Sequence, residues 1–265
     1  MWRLLFTPPA RGAFNMALDA ALMDYARETG AWVLRVYSWS APTLSLGRNQ
    51  RARGGYDLAR LAAQGIDVVR RPTGGRAILH DREITYAVAA PLADAGDLRE
   101  SYARINRLLL AGLRALGVGA AEVVGDAARI GGAGTFAHRE QPGLLPCFHH
   151  PSIGEITLDG RKLVGSAQWR CDGALLQHGS ILVDDDQVQL SSLLIEAGAP
   201  IPRPATLRDV LGCAPTDSEM ADALFGAVRA NEDPSAYEIT LDTALLERAN
   251  ALRAHYLDDG WTWRR

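Results

Sequence analysis

The stretch from Cys147 to Asp184, CFHHPSIGEITLDGRKLVGSAQWRCDGALLQHGSILVD, constrains this chain more than any other. It is made of β-type runs divided by Asp159-Gly160, a pair that suits the positive φ of both central residues in a type I′ turn and so predicts a hairpin. The hairpin puts Lys162 just inside its second strand. Gly165-Ser166-Ala167 follows, a small-residue run that lets a ligand approach the backbone closely. Lys162 is also the only lysine in the chain, every other base apart from histidine being arginine. The two are not interchangeable where a compact ammonium on a slim stem is needed, so one retained lysine points to a site. The plain alternative is a lysine on a solvated strand.

At 265 residues the chain is long enough for one large domain, or one domain with an appendage. Its net charge of -3 gives no electrostatic reason to expect nucleic-acid binding. Cys147, Cys171 and Cys213 are odd in number, widely spaced and without a CxxC, which fits a reduced compartment better than a disulfide framework or a zinc site. The opening MWRLLFTPP is too short an apolar run for a signal peptide, and no stretch suits a membrane span. A soluble, cytoplasmic protein is expected.

Periodicity predicts strands over 1–6, 32–37, 66–70 and 84–89, with a short strand between the turn at Pro42 and the bend at Gly47. It predicts helices over 15–28, 56–64, 97–116, 218–231 and 242–257, the first three stopped by Gly30, Gly65 and Gly117. Residues 127–145 read as a loop leading to Cys147, and 191–217 as a proline-containing connection. Helices and strands alternate without βαβ regularity.

Between Arg70 and Asp81 the chain reads RRPTGGRAILHD. Pro72 excludes helix there, and Gly74-Gly75 permits positive φ and bares backbone N–H groups able to cradle a carboxylate, a carbonyl or a phosphate. Neither GxxxxGK[ST] nor GxGxxG is present. Arg70, Arg71 and Arg76 favour an anion, against the alternative of a structural hairpin. Cys147 stands among Pro146, Phe148, His149 and His150, where a neighbouring imidazole would favour a thiolate nucleophile; an inert buried cysteine is the other reading. Cys171 and Cys213 are expected to be structural. His80, His149, His150 and His178 match no zinc spacing and are read as hydrogen-bonded structural residues, with no metal. There is no GxSxG. Glu155 and Asp159 lie at strand spacing, and turn and surface roles are expected for them rather than paired acid–base work.

Taken together, NMALD (15–19), SWSAPTLSLGRNQ (38–50), RRPTGGRAILHDREITYAV (70–88), CFHHPSIGEI (147–156), GRKLVGSAQWR (160–170) and LQHGSILVD (176–184) resemble the lipoate/biotin protein ligase superfamily, above all its cysteine-dependent octanoyltransferase branch. The resemblance spans most of the first 185 residues, and its motifs are specific jointly rather than singly. Ala20 departs from it, standing where an acidic residue often follows NMALD. The resemblance implies an α+β fold with a mainly antiparallel sheet flanked by helices, a catalytic core over 1–190 and a mainly helical extension over 191–265. It implies that Cys147 carries the acyl group as a thioester and that Lys162 holds the acyl carbonyl. Arg71, Thr73, Gly74, Gly75, His80, Gly165, Ser166, Ala167, Gln177, His178 and Gly179 would then bind substrate.

The implied reaction takes an octanoyl group from acyl carrier protein to the lysine of a lipoyl-domain protein, such as a glycine-cleavage H protein or an E2 subunit, without a cofactor. Two alternatives remain at this stage. An ATP-dependent lipoate–protein ligase would use ATP and Mg, and would need no cysteine. A non-catalytic acyl or lipoyl-domain binder would need neither Cys147 nor Lys162. What activates Cys147 is open between His149, His150 and Lys162.

Overall fold

Strands β2 (Trp32–Tyr37) and β6 (Glu83–Pro91) are buried at every position, so the sheet they share must be covered on both faces. A computed structural model, describing residues 1–125, 154–196 and 201–265, shows how. The other strands of this sheet are β1 (Trp2–Phe6), β7 (Glu122–Val123), β8 (Ile156–Leu158), β9 (Arg161–Cys171), β10 (Ala174–Leu182) and β11 (Tyr237–Glu238). They run in the order β11-β1-β2-β6-β10-β9-β8-β7. Pairing is antiparallel except between β1 and its two neighbours. This is the expected α+β architecture with a mainly antiparallel sheet.

Alternation divides the strands between two cores. Trp32, Leu34 and Val36 of β2, Tyr86 and Val88 of β6, and Leu175 and Ile181 of β10 face helices α3 (Leu98–Ala115) and α5 (Asp217–Asn231). Val33 and Tyr37, Ala87 and Ala89, and Leu176 face α1 (Gly12–Thr29) and α6 (Thr243–Leu257) instead. Each helix begins or ends where its sequence signals. Gly30 takes φ 70° after α1, and Asp97 and Glu100 form a reciprocal capping box at the start of α3. Helix α1 starts three residues before the predicted Asn15, because nothing from Gly12 onward interrupts it. Among the described residues no helix is long and apolar enough to cross a membrane.

A second sheet, β4-β3-β5, joins β3 (Thr43–Leu46), β4 (Asp67–Arg70) and β5 (Ile78–His80), and packs with helix α2 (Leu58–Ala63) around Leu44, Leu46, Tyr56 and Leu61. Both β4 and β5 pair with β3. The RRPTGG segment therefore crosses over β3, and the structural-hairpin alternative fails. The connection over 191–217 is more ordered than expected: a 3-10 helix reaches Leu193, and α4 spans Leu207–Leu211.

The predicted hairpin is present, with Asp159 at φ 50° and Gly160 at φ 71° between β8 and β9. A second turn of the same kind, Asp172 at φ 48° and Gly173 at φ 81°, joins β9 to β10. The β8–β9 register is interrupted: Ile156 pairs with Val164, yet Thr157 pairs with Lys162. Leu163 is the extra residue of a β-bulge. Because directly paired residues share a face and successive residues of β8 do not, the bulge puts Lys162 on the opposite face from Val164. Val164 lies in the α3-side core, so Lys162 is turned toward the α1 side.

The crossing segment rests on Gly47. A Cβ there would stand 1.9 Å from the Gly75 carbonyl oxygen, a backbone atom with no freedom to move aside. Gly47→Ala should therefore destabilise the protein by about 3 kcal/mol and displace the Gly74-Gly75 turn, measured as a lower denaturant midpoint with an unchanged m-value.

Candidate active site

The crossing segment is held from below by arginine. Arg71 is buried and donates to the carbonyls of Ser45 (2.9 Å), Gly74 (2.9 Å) and Arg76 (2.7 Å). Arg70 is fully buried and donates to Gly47 (2.5 Å), Gln50 (2.9 Å) and Thr262 (2.8 Å) carbonyls. Its own carbonyl accepts from the Trp261 indole at 2.8 Å, and the Ala52 and Arg53 amides bond the Arg265 carbonyl. The chain's last described residues thus close over the segment's start. Two of the three arginines read as anion ligands are spent largely on building the turn. At the turn itself Gly75 takes φ 96°, and no described heavy atom lies within 4 Å of where a Gly74 Cβ would stand.

Thr73 leads into this turn and is fully buried. Its Oγ1 lies 2.7 Å from His178 Nε2 on β10, and His178 Nδ1 lies 2.9 Å from Asp19 Oδ2 on α1. Asp19 also accepts from Arg35 (2.7 Å) and Tyr37 (2.8 Å) of β2, while Asn15 accepts from Arg35 at 2.7 Å. Burial alone pushes the Asp19 carboxyl up, but the His178 hydrogen bond and the Arg35 guanidinium outweigh it and hold the group below the usual carboxylate range. Burial pushes the His178 imidazole down, against the pull of Asp19. At neutral pH this describes a carboxylate beside a neutral imidazole. An ionised carboxylate only accepts, so Nδ1 carries the proton, Nε2 accepts, and the Thr73 hydroxyl donates to it.

Beside this group His80 stacks on Trp39, with ring centroids 3.9 Å apart, and bonds Glu83 Oε1 at 2.7 Å and Ser180 Oγ at 3.2 Å. The β9–β10 register sets Gly165 against Ser180 and Ala167 against His178. Together with the bulge, this gathers Lys162, Gly165, Ala167 and His178 on the face that carries Thr73 and His80. Lys162 is almost wholly buried and its ammonium meets Glu155 Oε1 at 2.5 Å. Glu155, expected in a turn or surface role, is instead buried in this pair, because the bulge brings Lys162 across to the Thr157 side of β8.

Ser166, Gln177 and Gly179 fall on the other face. Ser166 Oγ lies 2.7 Å from the Tyr86 hydroxyl, which accepts from Gln177 at 3.0 Å, and Gln177 accepts in turn from Gln168 at 3.0 Å. A Cβ on Gly179 would meet the Gly165 carbonyl oxygen at 2.5 Å, so that glycine keeps β9 and β10 in register. Cys147, His149 and His150 lie outside the described residues. Cys171 is half-buried and Cys213 exposed, so neither is the buried packing residue a structural role implied.

Asp19, Arg35 and Tyr37 were not singled out as site residues by sequence reasoning, and Glu155 was read only as a turn or surface residue. One signal for them existed. WVLRVY places Arg35 on the same strand face as Val33 and Tyr37, and a buried arginine requires a buried acid.

The architecture is that of the lipoate ligases. The chain superposes on a lipoate-protein ligase A bound with ATP (TM-score 0.77, 22% identity, 98% of each chain). It also superposes on a chain from the structure of a bi-partite lipoate protein ligase and its E2 lipoyl domain from Thermoplasma acidophilum (TM-score 0.74, 21% identity, 98% of this chain and 95% of that one). These likenesses establish the fold. Residues 11–229 match the lipoyl protein ligase A/B catalytic domain, and the chain belongs to that family. It is similar along its whole length to the octanoyltransferase LipM of Kyrpidia tusciae, at 39% identity over 100% of this chain and 99% of the relative. The octanoyltransferase LipM of Symbiobacterium thermophilum is 38% identical over 100% and 98%.

Replacing Asp19 by Asn should cost about 3–5 kcal/mol, since Arg35 is left as an unpaired buried charge. Because the Asp19 carboxyl lies below its unfolded value of about 3.9, its contribution is complete above that value and is lost as pH falls through the folded-state value. Thermal unfolding midpoints followed on acidification should therefore fall more steeply for the wild type than for Asp19→Asn.

Proposed function

We propose that this acyltransferase moves an octanoyl group from the thioester of acyl carrier protein to Cys147, and from there to a lysine amine of a lipoyl-domain protein, in protein lipoylation. The observation that carries the reading is Lys162, the only lysine of the chain, buried with its ammonium held 2.5 Å from Glu155 on the face shared with Thr73, Gly165 and His178. The octanoyltransferase relatives that match the whole chain supply the acyl group.

In the first step the Cys147 thiolate attacks the carrier thioester and the carrier's thiol leaves, so one thioester replaces another and no nucleotide is consumed. In the second the acceptor amine attacks, the C–S bond breaks and an amide forms, which is downhill. Both pass through a tetrahedral intermediate whose oxygen gains negative charge. Lys162 is the group to stabilise it, assisted by bare N–H groups of the Gly74-Gly75 turn. Gly165 and Ala167 leave the strand face low enough for an extended chain to lie along it. Burying an octanoyl tail contributes roughly 5 kcal/mol at about 0.8 per methylene, enough to favour this length over shorter ones. The acceptor is a lipoyl domain of a glycine-cleavage H protein or a 2-oxoacid dehydrogenase E2 subunit.

Intact mass after mixing enzyme with octanoyl carrier protein, without ATP, tests the reading. A hydroxylamine-sensitive octanoyl adduct is expected on the wild type and not on Cys147→Ser. If no adduct forms, and lipoate with ATP labels a lipoyl domain equally well with either protein, the ATP-dependent ligase reading replaces this one. Lys162→Arg keeps the charge but loses the fit, and should lower kcat on the order of 10²-fold in a steady-state assay.

A further inference from the structure

We propose that the arginines of residues 48–53 and 264–265 form the docking surface for the carrier protein that brings the acyl group, a deepening that rests on the acyl-transfer reading above. The chain as a whole has a net charge of -3. Elsewhere its arginines commonly meet an acid, as Arg82 meets Asp186, Arg104 meets Glu232 and Arg208 meets Asp184. This ledge differs: among the described residues Arg48, Arg53 and Arg264 are held by rings and carbonyls, not by acids. Trp261 carries the guanidinium groups of both Arg264, 4.0 Å from its ring centroid, and Arg48, at 5.7 Å; Arg48 also covers Trp169 at 4.7 Å. Arg264 donates to the Arg48 carbonyl and Arg53 to the Trp263 carbonyl at 2.9 Å, while the Arg265 carbonyl accepts from the Ala52 and Arg53 amides. Arg51 and Arg265 are exposed on the same two segments. Asp57 and Asp259 share a cavity with Arg53 at one end of the ledge, but Asp57 is paired with Arg60, so the balance stays positive. An aromatic ring fixes a guanidinium without neutralising it. Burial, then Arg48 and Arg265, pull the Arg264 guanidinium below its ordinary value, the mark of like charges held together.

The place of the ledge selects between the two protein partners. The Arg48 amide donates to the Thr73 carbonyl at 2.8 Å, so the ledge is continuous with the crossing segment. Trp169, beneath Arg48, shares with Gly165 and Ala167 the face that carries Lys162. With the bulge discounted, β9 sets Trp169 roughly 20 Å from Lys162 at about 3.3 Å per residue. An acceptor lysine is a four-carbon stem, so its domain must sit close over Lys162 and not at the ledge. The donor is built differently: the carrier's thiol ends a pantetheine arm joined to the protein by a phosphodiester. From sulfur to phosphorus that arm has about thirteen bonds, roughly 16 Å at about 3.6 Å for every three extended bonds. With the thioester oxygen at Lys162, such an arm reaches the ledge with its phosphate and brings the carrier's surface there. Guanidinium forks suit the phosphate and the carboxylates around it. Because the charge is spread over two chain segments, the ledge fits an acidic protein face better than a single small anion.

Steady-state kinetics with two donors tests the docking: octanoyl carrier protein, and octanoyl-pantetheine, which has the same thioester but neither phosphate nor protein. Two double variants are compared with wild type, Arg51→Glu with Arg265→Glu at exposed positions, and Arg48→Gln with Arg264→Gln at the centre. In both, KM for octanoyl carrier protein is expected to rise about tenfold at low salt with kcat unchanged, while KM for octanoyl-pantetheine and for the lipoyl domain stays put. Added KCl should raise the wild-type KM for the carrier and not that for octanoyl-pantetheine. An equal rise for both donors in the variants would mean that the arginines only shape the site, and a rise for the lipoyl domain alone would put the acceptor on the ledge. Either result overturns the proposal, as does a carrier KM indifferent to charge reversal and to salt. A wild type that transfers octanoyl from neither donor would instead overturn the acyl-transfer reading itself, so the two failures are distinguishable.

Discussion

The Asp19 carboxylate is the point through which the site is assembled. It is fully buried on α1 and accepts from Arg35 and Tyr37 on β2 and from His178 on β10. His178 then reaches Thr73 in the segment that crosses over β3. One side chain therefore fixes a helix, two strands of the large sheet and a turn leading out of the small sheet. A buried ion pair seldom contributes net stability against a well-packed apolar alternative. What it supplies here is geometry: each donor has one direction in which the acid is satisfied.

The bulge at Leu163 does for Lys162 what the acid does for His178. Strict alternation from Val164 would send the lysine into the core beneath α3, among leucines and valines that offer an ammonium nothing. The extra residue turns it over to the face where Glu155 waits. An irregularity in the ladder thus places the one lysine of the chain. The two small residues of that face, Gly165 and Ala167, alternate with Ser166, whose hydroxyl belongs to the opposite side.

Most elements were legible in the residues themselves. Gly30 and Asp97 announce their helix ends, Asp159-Gly160 announces its hairpin, and the alternation of Trp32 to Tyr37 reads directly as strand. The motif Gly165-Ser166-Ala167 was read as one small-residue surface for a ligand, but a motif read as a string does not reveal that its members lie on two faces. The partnership of Lys162 with Glu155 was hidden because it depends on a register shift that no local pattern encodes. Asp19 was equally silent. It stands in a helix where an acid ordinarily faces water, and only the position of Arg35 some sixteen residues on says otherwise. Arg70 and Arg71 looked like ligands because arginine beside glycine often is one; here their guanidinium groups hold up the turn from beneath.

That support has a consequence for when the site can exist during synthesis. Arg70 donates through Nε to the Thr262 carbonyl, 192 positions away, and its own carbonyl accepts from the Trp261 indole. Strands β8, β9 and β10 can pair as they leave the ribosome, since the turns that join them are short. The crossing segment cannot, because its buried guanidinium lacks this partner until residues near 262 have been made. A nascent chain thus holds these three strands long before it holds the crossing segment in place, and the last part of the fold to form is set by topology alone.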